Sequence, residues 1–253
     1  GGRDAHGLEL VVAACVDDDH VALGVDQCLD LLRGERWRVA LAFDDFAEGL
    51  AGHVHVLEQL AAGGARFTRA YAATPVCSPS RMTYLTGLLP SHHGVQDYLI
   101  PEDTFGPKSR RFLQGLTTYT ELLAKAGYTL GMCGKWHMGN DENPQAGFTY
   151  WVTVPGGGGT YRDPTFVIQG QQKKIRGFKT DIVTDYALEF LDRHHAKPFF
   201  LMVPFYAPHT PYDYQPEIYR APYAQASFRC FPRQPVHPRQ NPGLRKMHGN
   251  TEA

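Results

Sequence analysis

The sequence predicts an α/β fold, a mainly parallel sheet flanked by helices. Three observations carry this. Short strand-like apolar runs alternate with helix-like segments, the order that builds parallel sheets. The last of these runs, Pro198 to Phe205, has the character of a buried strand. Chemically active side chains then follow directly on the runs: Asp44-Asp45 on one, Lys135 and His137 on a second, His209 on a third. In open α/β sheets ligands bind beyond the C-terminal ends of the strands, so separate chain segments are expected to converge on one rim.

Composition narrows the function. The 253 residues suffice for one large domain or two small ones. A content of 43% hydrophobic and 20% charged residues is that of an ordinary globular protein. The net charge of −1 gives no electrostatic case for nucleic acid or an acidic membrane. No apolar run approaches the length needed to span a bilayer. No signal peptide is visible at Gly1; a leader already removed would imply the periplasm or secretion, its absence the cytoplasm, and the compartment stays open. The five cysteines, Cys15, Cys28, Cys77, Cys133 and Cys230, are odd in number and widely spaced. They make neither a metal-finger pattern nor an evident disulfide framework.

In chain order, residues 1–37 are an irregular N-terminal segment. Leu10 to Val16 is strand-like and leads into Asp17-Asp18-Asp19-His20, and Leu29 to Arg33 reads as a short helix. Residues 38–223 form the main domain. Arg38 to Phe43 is a strand ending at Asp44-Asp45. Val54 to Ala62 is a helix with Val54, Leu57, Leu60 and Ala61 on one face, stopped by Gly63-Gly64. Arg66 to Tyr71 alternates and leads to Cys77, and residues 88–116 hold turns without a clear element. Thr118-Tyr119-Thr120-Glu121 is a capping box. It opens a helix with Leu122, Leu123 and Ala126 inward and Gly127 as its stop. Tyr128 to Cys133 is a strand delivering Gly134-Lys135-Trp136-His137. Residues 138–178, with Gly156 to Gly159, read as loops over the sheet. Thr180 to His195 is an amphipathic helix with Val183, Ala187, Phe190 and Leu191 on its core face. Pro198 to Phe205 ends at Ala207-Pro208-His209-Thr210-Pro211, and residues 224–253 are an irregular tail.

The stretch Cys77-Ser78-Pro79-Ser80-Arg81 organises the chemistry. Pro79 suits the first turn of a helix, where its missing N–H costs nothing, and Ser78 stands where an N-cap belongs. Cys77 is thus expected at the end of a loop against a helix N-terminus, whose free N–H groups and partial positive charge favour an anion such as a sulfate or phosphate ester. Arg81 is expected to reach back over one turn toward position 77. Asp44 and Asp45 are adjacent carboxylates that a hard cation would hold ionised, or else a solvated acidic turn. Lys135 offers three donors for an anion's oxygens, and His137 suits proton transfer near neutral pH. For each, an ordinary loop or core role is the alternative. His194-His195 suits a helix C-terminus, Lys173-Lys174 a solvated patch, Trp136 packing. His92-His93 has no assigned role. Gly156 to Gly159 is either a loop shaping the substrate mouth or a linker.

Continuing through Met82-Thr83-Tyr84-Leu85-Thr86-Gly87, eleven positions from Cys77 resemble the signature of the formylglycine-dependent sulfatases. Gly-Lys-Trp-His-Met-Gly at 134–139 is similar to a second motif of that family, and Ala-Pro-His-Thr-Pro at 207–211 to a third. The resemblance covers roughly residues 38–223. It implies an alkaline-phosphatase-like α/β fold and hydrolysis of small-molecule or carbohydrate sulfate esters. A formylglycine-generating enzyme would oxidise Cys77 to an aldehyde whose hydrate is the nucleophile. Calcium or magnesium would be held by Asp44, Asp45 and position 77. Arg81 would stabilise charge, Lys135 and His209 would contact the sulfate ester, and His137 would act as base when the bound sulfate is expelled. Asp18-Asp19 rivals Asp44-Asp45: Glu58 precedes Cys77 by 19 positions, a family-like spacing, while Asp44 precedes Glu58 by 14 and Asp18 by 40. The later family segment that completes the metal site, with a second lysine, has no counterpart between Tyr212 and Ala253, so the chain is expected to be truncated at the C-terminus. A phosphonate monoester or phosphodiester hydrolase of the same family, or a non-catalytic fragment, are the rival readings.

Overall fold

The computed structural model describes residues 38–39, 64–65, 71–211 and 215–221. Contacts divide the chain into two compact units, 1–215 and 216–253. In the second, the described element is one short helix, Glu217–Arg220.

The first unit is built on a five-stranded sheet in the order β6-β5-β4-β3-β7. Its strands are β3 Thr129–Gly134, β4 Tyr150–Thr153, β5 Thr165–Ile168, β6 Gln171–Lys174 and β7 Phe199–Met202. The central strand β3 pairs parallel with both neighbours, Met132 lying opposite Trp151 on β4 and Met202 on β7. The β4–β5 and β5–β6 pairings are antiparallel. The sheet is therefore mixed: β3 and β7, both expected from the sequence, pair in parallel, and β4 extends the parallel half on the other side of β3. A further parallel pair joins β1 Arg38–Val39 to β2 Gly64–Ala65. The helix expected at Val54 to Ala62 lies outside the described residues, as do the boundary at 223 and the tail beyond it.

Residues 138–178, expected to be loops, contribute three strands instead. The signal in β4 and β5, four residues each of aromatic and β-branched type, is real but short, and the surrounding glycines and prolines masked it. Strand β6 is a fully exposed edge, Gln-Gln-Lys-Lys, whose lysines discourage pairing with another chain and match the solvated patch expected there.

Both faces of the sheet are covered. Successive side chains of a strand point to opposite faces, so Phe200 and Met202 join one core with Leu130, Met132 and Trp151, while Phe199 and Leu201 join another with Cys133 and Val152. Helix α1, Cys77–Thr86, closes the first core through Met82 and Leu85, which are wholly buried. Helix α5, Lys179–His194, closes the second through Ile182, Val183, Ala187 and Phe190. Gly131 lets α5 approach: a Cβ there would stand 2.6 Å from the Phe190 ring. Asp181 in the first turn and Arg193 and His194 in the last complement the α5 dipole.

Two short helices, α2 Pro90–His93 and α3 Pro101–Thr104, occupy a stretch expected to hold only turns. Each begins with proline at its first position, a starting signal that four residues are too few to amplify. Helix α4, Tyr119–Lys125, has the expected capping box, both reciprocal bonds between Thr118 and Glu121 being made. Its inward face differs from expectation: Leu122 is 40% exposed and Ala126 is exposed, while Tyr119, Leu123 and Ala124 pack on the core. The helix is only two turns long, so periodicity did not fix its rotation.

Candidate active site

Cys77 is the first residue of α1 rather than the end of the loop before it; Val76 occupies the N-cap. Ser78 is therefore not the cap. Its hydroxyl instead accepts the Leu99 N–H at 3.1 Å, tying the start of α1 to the segment ahead of α3. Cys77 is a partly exposed free thiol. Cys133, the other free cysteine among the described residues, is fully buried. Burial pushes its thiol far up and keeps it protonated, which leaves it inert.

Arg81 is wholly buried, and its Nη1 donates to the Lys135 carbonyl at 2.6 Å. Its Nε and Nη2 have no hydrogen-bond partner among the described residues. Burying a guanidinium with donors unspent is costly, and these donors suit an anion's oxygens. Helix α1 is steadied further by His93, whose ring accepts the Val95 N–H at Nδ1 and so presents Nε2–H to Thr83 Oγ1 at 3.1 Å.

Strand β3 delivers Lys135, Trp136 and His137 into the same neighbourhood. Lys135 is 1% exposed, its backbone N–H bonded to the Pro204 carbonyl two residues beyond β7. Trp136 packs edge-on against Trp151 and Phe148, in line with a packing role. His137 is buried and sits at φ +56, a left-handed conformation uncommon outside glycine. Its backbone N–H donates to Asp141 Oδ1 at 3.2 Å. Its Nε2 lies 2.9 Å from the Leu99 carbonyl. A carbonyl can only accept, so Nε2 carries the proton and Nδ1 the lone pair when the ring is neutral.

Asp141 was not singled out in the sequence, where it is one acid among several after the Lys-Trp-His motif. It is wholly buried, and its own carbonyl accepts from Trp151 Nε1 at 2.9 Å and Thr153 Oγ1 at 2.6 Å. Burial pushes its carboxyl up to about 7, against the pull of the amides of His137, Gly156 and Gly157.

His209 reaches the site through Tyr206, a residue sequence reasoning missed. The two rings stack with centroids 4.8 Å apart, and Lys135 Nζ lies 5.6 Å from the Tyr206 centroid. His209 Nδ1 bonds the Thr210 carbonyl at 2.9 Å, so Nε2 carries the lone pair. Lys179 Nζ stands 3.8 Å over the same Tyr206 ring. It is 1% exposed, and burial beside Lys135 lowers its ammonium to about 7. The lysine carries no periodic signal at the start of α5, so only the fold exposes its role.

The described residues thus gather cations, Arg81, Lys135 and Lys179, with two histidines. Among them no group of three His, Cys, Asp or Glu side chains is placed to hold a metal ion. By themselves these residues fit an anion and not a cation. Asp44, Asp45, Asp18, Asp19 and Glu58 lie outside the described residues.

A family model described as Sulfatase matches residues 45–231, so the chain belongs to the sulfatase family. It is 35% identical over 156 residues to an N-acetylglucosamine-6-O-sulfatase of Bacteroides thetaiotaomicron, covering 60% of this chain and 26% of that protein. It is 35% identical over 185 residues to an arylsulfatase of Hemicentrotus pulcherrimus, covering 61% and 32%. It is 28% identical over 232 residues to human N-acetylglucosamine-6-sulfatase, covering 85% and 40%. The chain therefore spans about a quarter to two fifths of the length of these relatives. Among solved structures, a Bacteroides fragilis protein described as a sulfatase superposes with a TM-score of 0.64 over 90% of this chain and 50% of that one, at 20% identity. That likeness establishes the alkaline-phosphatase-like fold. Ps i-CgsB, solved with k-i-k-neocarrahexaose, superposes with a TM-score of 0.51 at 28% identity, covering 56% of this chain and 36% of that one.

Proposed function

We propose that this chain carries the nucleophile half of a sulfuric ester hydrolase acting on sulfated carbohydrates or aryl sulfates. The observation that supports it most is the joining of α1 to the β3 loop: Arg81, four residues after Cys77, is buried against the backbone of Lys135 with two donors still unspent. Oxidation of Cys77 to formylglycine gives an aldehyde whose hydrate supplies a nucleophilic hydroxyl and, through the second hydroxyl, a route for expelling sulfate. Arg81 and Lys135 hold the sulfonate oxygens and offset the charge that grows on them during attack. His209, positioned by Tyr206, presents Nε2 toward the ester and, when both ring nitrogens are protonated, passes the Nε2 proton to the departing alcohol. His137, with Nδ1 as the lone-pair nitrogen, takes the proton from the second hydroxyl. Asp44 and Asp45, with position 77, are the residues that would hold calcium or magnesium, whose charge would draw in the sulfate. The preference for carbohydrate follows from the N-acetylglucosamine sulfatases among the relatives and from the oligosaccharide bound by Ps i-CgsB.

The test is the mass of the Cys77 peptide from protein made together with a formylglycine-generating enzyme. An aldehyde at 77 is expected. An unmodified thiol, with a control peptide converted in the same cells, removes the nucleophile and the proposal with it. Parallel assays on nitrophenyl sulfate and a phosphonate monoester then separate sulfatase from phosphonate hydrolase.

A further inference from the structure

Gly156 to Gly159 lies directly against the candidate base. Gly157 packs on the His137 ring so closely that a Cβ at 157 would overlap it. A run of four glycines has more conformational freedom to lose on folding than any other sequence and does not hold a shape unaided. Gly156 and Gly157 are nevertheless both in left-handed conformations, at φ +68 and +65. Something outside the turn must fix it.

Two buried titratable side chains do so from opposite sides. Lys179 Nζ donates to the carbonyls of Gly158 at 3.0 Å and Gly159 at 3.1 Å. The Asp141 carboxyl takes the His137 N–H at Oδ1; its buried Oδ2 has no hydrogen-bond partner among the described residues, and the nearby Gly156 and Gly157 amides favour its charged form. The acid stands on the N–H side of the turn's first half, and the base bonds the carbonyls of the second. Neither residue is explained by its own element. Lysine at the first position of α5 opposes the helix dipole, and burying its charge costs several kcal/mol. The backbone of Asp141 is already anchored through Thr104, Trp151 and Thr153, so its carboxyl is not needed to hold its own segment.

We propose that Asp141 and Lys179 are positioning residues that together clamp the Gly156–Gly159 turn against His137 and so lock its ring in the Nε2–H tautomer. The value of that tautomer for proton transfer rests on the function proposed above; the clamp does not.

The experiment labels the histidines of the full chain with 15N and identifies the His137 ring by the signals lost in His137→Gln. In the wild type the two ring nitrogens are expected far apart in shift, as a fixed tautomer gives. Lys179→Met removes the carbonyl anchor, and Asp141→Asn turns a donor toward the Gly156 and Gly157 amides. Both are expected to draw the His137 nitrogen shifts toward the averaged pair of a free imidazole, and Lys179→Arg to restore the separation. Near-UV circular dichroism from Trp136 and Trp151 reports that the variants are folded. Folded variants with His137 signals identical to wild type overturn the clamp. If Lys179→Met does not fold, Asp141→Asn, which keeps shape and volume, decides by the same reading. On nitrophenyl sulfate the clamp variants are expected to lose about 100-fold in kcat with little change in KM, the scale of a misplaced group. A released ring with unchanged kcat keeps the clamp and removes the proton-transfer role of His137.

Discussion

Arg81 Nη1 and the carbonyl of Lys135, 54 residues apart in sequence, form a buried 2.6 Å hydrogen bond. A second link runs beside it: Leu99 gives its N–H to Ser78 and its carbonyl to His137. These two connections fix the helix that begins with Cys77 to the loop that carries Lys135 and His137.

Arg81→Lys is expected to break the first link. A lysine retains the charge but not the planar fork that points one donor at the carbonyl and leaves two for an anion. A loss of about 1–3 kcal/mol in unfolding free energy is expected, measured by urea denaturation. Turnover of nitrophenyl sulfate is expected to fall at least about 100-fold.

Cys77→Ser offers one hydroxyl where the aldehyde hydrate offers two. The variant is expected to accept sulfate and fail to release it. Intact-mass measurement after incubation with substrate should show a stable sulfated protein. Turnover matching wild type would remove the two-hydroxyl scheme.

The pH dependence of stability follows from two buried groups. The Asp141 carboxyl is raised from 3.8 to about 7 in the fold. Between those values the folded state holds the extra proton, so its contribution to stability falls as pH rises from about 4 to 7. The Lys179 ammonium is lowered from 10.5 to about 7. Between those values the unfolded state holds the extra proton, so the Lys179 contribution rises with pH from about 7 to 10. Asp141→Asn should flatten the acid limb and Lys179→Met the alkaline limb, each by an amount on the order of a few kcal/mol. Denaturation midpoints measured across pH check both slopes.

Phe190 is wholly buried between α5 and the sheet, against Tyr150 and Phe199. Phe190→Ala opens a cavity opposite Gly131, which has no side chain to fill it. A loss of about 3–5 kcal/mol is expected. Thr118→Ala removes the capping box of α4 and should cost about 1 kcal/mol. Thermal unfolding of the two variants should preserve that order.

Sequence by itself determined the parts whose signal is local. The capping box at Thr118 and Glu121, the Val183-Ala187-Phe190 face of α5, and the β3 and β7 runs each announce themselves within a few residues, because side-chain period and cap chemistry are properties of neighbours. The three motifs at Cys77, Lys135–His137 and His209 likewise named candidate residues, because each motif is a run of consecutive positions. Tertiary structure alone decided the rest. Arg81 bonded the Lys135 carbonyl, Ser78 became a tie to Leu99 rather than a cap, and β4 formed against β3, a partner some twenty residues away, with β5 and β6 added to it as a tight hairpin. Asp141, Lys179 and Tyr206 carry no local pattern at all. Their importance comes from burial, which brings the acid and the base into the neutral pH range and makes the ring a stacking surface, and burial is set only when the whole chain has packed.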